Sequence, residues 1–264
     1  KMQCAAAVVT KKISKGGPIA ALRGASTLVV GASSSVGKAI VTRLAFSGQR
    51  VIGISEDSPR LRSIEEEMKK VGANVSCIPY QESEERTIEK AVSLTADGIT
   101  GLVYVPPDNN VTGDIADSTT TEFNTVFAHR LTLPFRVIKA SLPHLRKSED
   151  SSIVIVNSSA AYTPFIDLGL FSASSTALLS MARVIALECP VRVNTVVMST
   201  VRGDGSGGVW DKDDDGSSLR AMMPLSRLGS TADVAAAVEF LQSKRARYIT
   251  GESLILNGGV HLRL

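Results

Sequence analysis

The sequence has little cysteine, and the three cysteines that it contains stand far apart. Cys4, Cys77 and Cys189 form no CxxC pair, and their odd number does not suit a framework of disulfides. We therefore expect reduced and mostly buried thiols, as is typical of unpaired cysteines. The sequence predicts neither a disulfide scaffold nor a zinc site, and it offers no other metal site.

The first 55 residues lack acidic side chains. They hold eight of the 29 lysines and arginines and none of the 26 aspartates and glutamates, the first of which is Glu56. One interpretation is the remnant of an organellar targeting sequence, which the start at Lys1 in place of methionine also favours. The other is a solvated arm that contacts an anionic partner. We expect a basic N-terminal arm over residues 1–25 and a mitochondrial or other organellar location.

A nucleic acid is one anionic partner that this arm permits. However, no RNA-binding motif and no aromatic stacking platform accompanies the basic residues. The sequence therefore does not argue for nucleic-acid binding.

Long apolar runs are also absent, because none approaches 18 residues, and no membrane span is predicted. From Thr27 onward the chain instead alternates between strand patterns and helix patterns. Such alternation is typical of a parallel sheet with helices on both faces. We predict one α/β domain over residues 26–264, built as a single Rossmann-type doubly wound parallel sheet of about seven strands flanked by helices.

The hydrophobic patterns place the individual elements. The predicted strands cover Thr27–Gly31, Val51–Ser55, Asn74–Ile78, Leu102–Val105, Ile153–Val156, Val191–Val197 and Ser253–Asn257. The predicted helices cover Val36–Gly48, about Arg60–Val71, about Glu84–Leu94 with Ser83 as its N-cap, Thr119–Arg146, about Leu170–Glu188 and Asp233–Gln242. We expect Pro134 to kink the long fourth helix, and residues 202–218 to form a loop rich in glycine, aspartate and serine.

A glycine-containing turn joins the first strand to the first helix and reads Gly31-Ala-Ser-Ser-Ser-Val-Gly37-Lys38. It resembles the TGxxxGxG turn of the short-chain dehydrogenase/reductase family, with Ser35 in place of the middle glycine and Val30 in place of the threonine. Glycines let backbone N–H groups approach a pyrophosphate at a helix N-terminus. The candidate cofactor-binding residues, if any cofactor binds, are Gly31, Ser34, Ser35, Val36, Gly37 and Ser55.

Three other segments depart from what the resemblance implies for NAD or NADP. The second strand ends in Ser55-Glu56-Asp57, which lacks the NAD-type acid at the first position and would repel a 2′-phosphate. Ile78 stands where the family holds adenine with an aspartate. The NNAG segment reads Tyr104-Val-Pro-Pro107, whose two prolines remove two N–H donors. We therefore expect no cofactor, with NAD(P) as the possibility left open.

The resemblance also implies a catalytic tyrosine, a lysine four residues later, a serine and a helix-borne asparagine. The family's YSASK motif aligns with Phe171-Ser-Ala-Ser-Ser175, so that a phenylalanine replaces the general acid and a serine replaces the lysine. The serine is Ser158 or Ser159, and Arg130 stands at the asparagine position.

No shift of this alignment restores the missing groups. No lysine occurs between Lys147 and Lys212, and Tyr162 lies nine residues before Phe171. We predict no catalytic residues, and we expect Arg130 to fill the vacated site or to pair with a nearby acid.

The C-terminal third resembles one branch of the family, the 3-oxoacyl-acyl carrier protein reductases. The matching segments begin at Pro224-Leu-Ser-Arg-Leu-Gly229, at Ala232 and at Tyr248-Ile-Thr-Gly251. That branch forms tetramers through two long helices and the last strand, which implies an oligomer or hetero-complex through residues 119–146 and 170–188. In the substrate region, Met198-Ser199 replaces the family's Pro-Gly, and residues 202–218 lack the apolar stripe of a lid helix.

Three functions stay open at this stage. The first is a catalytically inactive structural or interaction subunit of a larger, organellar assembly. The second is an NAD(P)-binding regulatory partner of an active paralogue, and the third is a divergent NADPH-dependent 3-oxoacyl-acyl carrier protein reductase. The first agrees best with the joint change of the cofactor and catalytic motifs.

Overall fold

The computed structural model describes residues 25–56, 59–80, 83–107, 111–199, 201–202 and 217–262. The predicted basic arm and most of the predicted 202–218 loop lie outside these residues, as does Asp57.

A seven-stranded parallel sheet forms the centre of the molecule, in the order β3-β2-β1-β4-β5-β6-β9. Its strands are β1 Ser26–Val30, β2 Arg50–Ser55, β3 Val75–Pro79, β4 Gly101–Tyr104, β5 Ser152–Ser158, β6 Arg192–Met198 and β9 Ser253–Leu256. Two short strands, β7 Val201–Arg202 and β8 Gly229–Ser230, pair separately. The predicted Rossmann-type sheet of about seven strands is confirmed.

Helices cover both faces of the sheet. They are α1 Ser35–Phe46, α2 Pro59–Lys70, α3 Glu84–Ser93, α4 Thr120–Phe127, α5 Leu133–Leu145, α6 Gly169–Glu188, α7 Ser217–Met222 and α8 Thr231–Gln242. The Ser83 hydroxyl accepts a hydrogen bond from the Arg86 N–H, as expected of an N-cap.

Alternate residues of the central strands supply two separate cores. In β1, Val29 packs with the buried side chains of α1, α2 and α8, whereas Leu28 and Val30 pack with those of α3, α5 and α6. Successive strand side chains point to opposite faces, so a strand covered on both faces must be apolar throughout. This explains why β1 and β5 are nearly continuous apolar runs.

The predicted long helix is interrupted. A π-helical segment, Ala128–Thr132, separates α4 from α5, and Pro134 lies in the first turn of α5, where its missing N–H costs little. The prediction of one helix kinked at Pro134 was therefore wrong: the helix is interrupted by the π-helical segment that precedes the proline. Such π-helical insertions are frequent at functional sites.

One further prediction needs correction. Residues 202–218 are not a loop throughout, because Arg202 ends β7 and Ser217 begins α7. The helix α6 is long and apolar enough by composition to cross a membrane, although no single apolar run predicted one. Its buried side chains, including Leu178 and Ala182, pack in the core beneath the sheet, as in the core helix of a globular domain.

Candidate functional site

The site lies where the strand order reverses between β1 and β4, at the carboxyl edge of the sheet. Ligands of doubly wound folds bind at this crevice. The turn after β1 passes close to the residue that follows β4: a Cβ on Gly31 would lie 2.2 Å from the Val105 carbonyl oxygen. Gly31 also has a φ of +82°, which favours glycine.

The second retained glycine has a packing role as well. A Cβ on Gly37 would lie 2.1 Å from the Gly31 carbonyl oxygen. Both glycines are therefore required by contacts within the chain, and their presence does not depend on a phosphate.

The turn satisfies several of its own donors. The Ser34 hydroxyl caps α1 by accepting from the Gly37 N–H at 3.0 Å, and it donates to the Gly31 carbonyl at 2.9 Å. The Gly31 and Ala32 N–H groups both donate to the Ile54 carbonyl. Ser35 is exposed at the start of α1, and the first N–H groups of a helix have no partner within it. The Ser35 and Val36 N–H groups are the ones placed to meet an anion.

The end of β2 carries hydroxyls where a carboxylate would hold a ribose. Ser55 is 8% exposed, and its hydroxyl oxygen lies 2.6 Å from that of Ser33 in the turn. Glu56 is exposed. Ile78 lies in the apolar core beside β1 and β2 and presents no polar group to an adenine.

The last residue of β4, Tyr104, is fully buried. Its hydroxyl donates to the His129 carbonyl at 2.9 Å, inside the π-helical segment, and burial raises its pKa above the ordinary range. Tyr104 thus ties the end of β4 to the turn that carries Arg130. Pro106 and Pro107 follow and offer no N–H.

Arg130 occupies the centre of the site. It is 4% exposed, and its guanidinium carbon lies 4.1 Å from the centre of the Phe171 ring. The same guanidinium donates to the Ser175 hydroxyl at 3.2 Å, and Ser175 is fully buried on α6. The structure therefore brings together the three residues that the sequence comparison places at the asparagine, tyrosine and lysine positions, and a cation–π contact joins two of them.

The serines at the end of β5 have structural partners. The Ser158 hydroxyl caps a short 3₁₀ turn by accepting from the Ala160 N–H, and Ser159 is buried at 9% exposure. Sequence reasoning missed Asn157, which donates to the Ser175 carbonyl at 2.9 Å and accepts from the Ser158 N–H at 2.8 Å. An asparagine at the end of an otherwise apolar strand was the signal available.

Tyr162 cannot replace the missing phenol. Its ring is 45% exposed, and its hydroxyl accepts from Arg183, eight residues beyond Ser175 on α6. Eight helical residues span about 12 Å. The Tyr162 hydroxyl is therefore engaged by Arg183, further along α6 than Phe171 and Ser175.

The chemistry available at this site is limited. The Phe171 ring carries no proton, and a hydroxyl such as that of Ser175 is a poor acid and base without an activating neighbour. Among the described residues no three histidine, cysteine, aspartate or glutamate side chains gather in a way that could hold a metal ion.

The sheet order and the turn at its reversal define a Rossmann-type α/β domain of the dinucleotide-binding class. Residues 31–261 match the family model described as enoyl-(acyl carrier protein) reductase. The chain belongs to the short-chain dehydrogenase/reductase family of oxidoreductases.

Individual relatives agree with this assignment. Dehydrogenase/reductase SDR family member 4 of Sus scrofa is 30% identical over 90% of this chain and 87% of its own length. Dehydrogenase/reductase SDR family member 2, mitochondrial, of Homo sapiens is 27% identical over 88% and 84%. The fold matches a 3-oxoacyl (acyl-carrier-protein) reductase from Agrobacterium tumefaciens C58 with a TM-score of 0.83 at 21% identity, over 93% and 98% of the two chains.

That bacterial structure has NADP bound. The comparisons therefore do not support the expectation that a chain of this family holds no cofactor, and they leave NAD(P) as the cofactor class of the fold.

Proposed function

We propose that this chain is a catalytically inactive member of its family that serves as a structural or interaction subunit of a larger assembly in an organelle, most simply the mitochondrion. One observation carries the proposal. Phe171 and Ser175 stand where the family needs a phenol and an ammonium, and Arg130 is packed against both of them.

The energetic argument concerns proton transfer. General acid–base catalysis contributes about 10²–10⁴-fold to a rate, and the Phe171 ring supplies none of this. An ammonium at position 175 would lower the pKa of a neighbouring phenol, but the described residues place the Arg130 guanidinium there beside a benzene ring. A positive charge next to a group that cannot ionise does not create a proton donor.

The residues present do not fit a bound nicotinamide dinucleotide along its whole length. The start of α1 offers the Ser35 and Val36 N–H groups to a phosphate. Beside Ser175, where the family's lysine holds the nicotinamide ribose, the Arg130 side chain fills the space. The proposed role accordingly uses no cofactor chemistry.

Exposed side chains on the helices that the resemblance implicates support an interface there. Large apolar side chains are exposed on them: Phe123 on α4, Phe135 on α5, and Val184 and Leu187 on α6. Leu187 is 87% exposed, and burying it against another subunit would remove this apolar area from water. These residues are where we place the subunit interface.

A second candidate is a regulatory partner that binds NAD(P) without turning it over. The capped start of α1 favours it, because that helix end is the feature that receives phosphates in this fold class. The third candidate, a divergent reductase, would need a proton donor where Phe171 and Ser175 stand, and neither side chain supplies one.

The deciding experiment is a turnover assay with NADPH and NADH on an acetoacetyl thioester. We expect the purified protein to show no turnover above the uncatalysed rate. An active bacterial 3-oxoacyl-acyl carrier protein reductase serves as the positive control for the assay. Oxidation of NADPH at an ordinary enzymatic rate, on the order of 1 s⁻¹ or more, would contradict the proposal.

The organellar part of the proposal needs a separate measurement. The basic character of residues 1–55 supports it, as does the mitochondrial human relative. Fractionation of cells that express the tagged full chain should place the protein with the mitochondrial matrix marker. Recovery with the cytosolic marker alone would contradict it.

A further inference from the structure

The packing of Arg130 has a consequence for ligands that the loss of catalysis does not require. An enzyme can lose its acid and its lysine and still bind its dinucleotide. We propose that Arg130 acts as an internal plug that keeps the nicotinamide half of a dinucleotide out of this fold, and that its removal raises the affinity of the chain for NADH.

The first support is steric and electrostatic. The Arg130 guanidinium stacks on Phe171 at 4.1 Å and bonds to Ser175 at 3.2 Å. With only 4% of the residue exposed, a ligand group could reach this position only by displacing it. Displacement would break a charge-assisted hydrogen bond and a cation–π contact together.

The second support is the way in which the arginine is held. The π-helical segment aims residue 130 inward, and Tyr104 fixes that segment through the His129 carbonyl. Asn157 holds the opposite wall through the Ser175 carbonyl. Both sides of the contact are therefore anchored, so the plug is a fixed part of the packing.

The third support is the turn between β1 and α1, where the family binds the phosphates. The tight turn keeps the two glycines that its packing requires, and the first helical N–H groups of α1 remain in place. The inference rests on the proposed function in taking the unmodified chain to act without a cofactor.

The test is a calorimetric titration of NADH and of ADP into the full chain and three variants: Arg130→Asn, Arg130→Ala and, as the matched control, Arg136→Ala, an exposed arginine on α5. We expect the wild type and Arg136→Ala to bind NADH no tighter than millimolar, and both Arg130 variants to bind it at least tenfold tighter. ADP, which lacks the nicotinamide half, should bind all four proteins equally. Thermal melts show which variants are folded.

Several results would overturn the plug. Micromolar binding of NADH to the wild type would do so without any variant, while leaving the proposed loss of turnover untouched. Folded Arg130 variants that bind NADH no better than the wild type would place the block at the adenine end instead. If both variants fail to fold, an Arg130→Met variant, which retains an apolar chain over Phe171, takes their place under the same criterion.

Discussion

At the residue scale, two buried tyrosine hydroxyls differ in whether they form a hydrogen bond. Tyr104 donates to the His129 carbonyl, whereas the Tyr80 hydroxyl is buried without a hydrogen-bond partner among the described residues. A hydrogen bond contributes about 1 kcal/mol net, and an unsatisfied buried group costs a comparable amount.

We predict that Tyr104→Phe lowers the free energy of unfolding by about 1 kcal/mol and that Tyr80→Phe leaves it unchanged or raises it. Both substitutions remove one oxygen, so they are matched in volume. Urea denaturation of the two variants and the wild type measures the difference. Equal losses in the two variants would show that the contact with His129 does not stabilise the π-helical segment.

A second residue-scale prediction concerns pH. The Asp233 carboxylate at the start of α8 accepts hydrogen bonds from Arg227 and Ser230, which lower its pKa to about 2. Its contribution to stability is therefore present above about pH 4, the ordinary pKa of an aspartate, and is lost as the pH falls towards 2. Because the ion pair is well exposed, we expect a contribution below about 1 kcal/mol.

The measurement compares Asp233→Asn with the wild type by urea denaturation from pH 7 to pH 2.5. The stability difference should be constant down to about pH 5 and should shrink below pH 4. Glu66→Gln, which removes an exposed carboxylate from α2, serves as the control for a general charge effect. A difference that grows on acidification would refute the assignment of the low pKa.

At the element scale, α1 and α8 are joined by a partly buried polar cluster. The Glu239 carboxylate accepts from Arg43 at 2.6 Å and from Ser47 at 2.5 Å, and the whole residue is 8% exposed. Breaking a buried ion pair costs several kcal/mol, but the Arg43 side chain is half exposed and can recover water.

We therefore predict that Glu239→Ala lowers the free energy of unfolding by about 2–3 kcal/mol. The same truncation at Glu67, which pairs with Lys38 on the surface, should cost under about 1 kcal/mol. Chemical denaturation of both variants checks the contrast. Similar losses at the two sites would mean that α1 and α8 are held together by their apolar contacts alone.

Most element positions could be predicted from hydrophobic period, because strands covered on both faces must be apolar and helices must turn one stripe inward. The Ser83 N-cap could also be predicted, because serine hydroxyls commonly accept a hydrogen bond at the start of a helix. The π-helical segment was not predicted, and the contact made by its His129 carbonyl comes from a residue distant in sequence, the Tyr104 hydroxyl. Short strands such as Val201–Arg202 carry too few residues to show a period.

The candidate site was likewise predicted only in part. Alignment of motifs indicated that Arg130, Phe171 and Ser175 share a location, since each stands at a position that the family brings together. It also predicted that Arg130 fills the vacated site or pairs with a nearby acid, but it could not choose between the two, because a long side chain has many possible partners. It also missed Asn157, whose two contacts become visible only when β5 and α6 lie side by side.

At the scale of the whole molecule, the exposed apolar residues of α5 and α6 predict an oligomer or a hetero-complex. Multi-angle light scattering of the purified chain should give at least twice the chain mass of 27.9 kDa. Phe135→Asp and Leu187→Asp should each shift the mass towards the monomer, because a charge in a dry interface is costly.

Val71→Asp is the matched control, since Val71 is 50% exposed at the end of α2, away from these helices. It should leave the mass unchanged. A wild type that is monomeric at micromolar concentration, and that stays so with its native partners added, would remove the basis for placing an interface there.

The glycine that follows the first strand is fixed by packing within the fold. Gly31 cannot gain a methyl group without pushing away the neighbouring strand, whatever occupies the crevice outside. Packing beside the first strand is thus enough to require glycine at this position. The fingerprint therefore reports how closely two adjoining segments of backbone approach, and it says nothing by itself of a bound nucleotide.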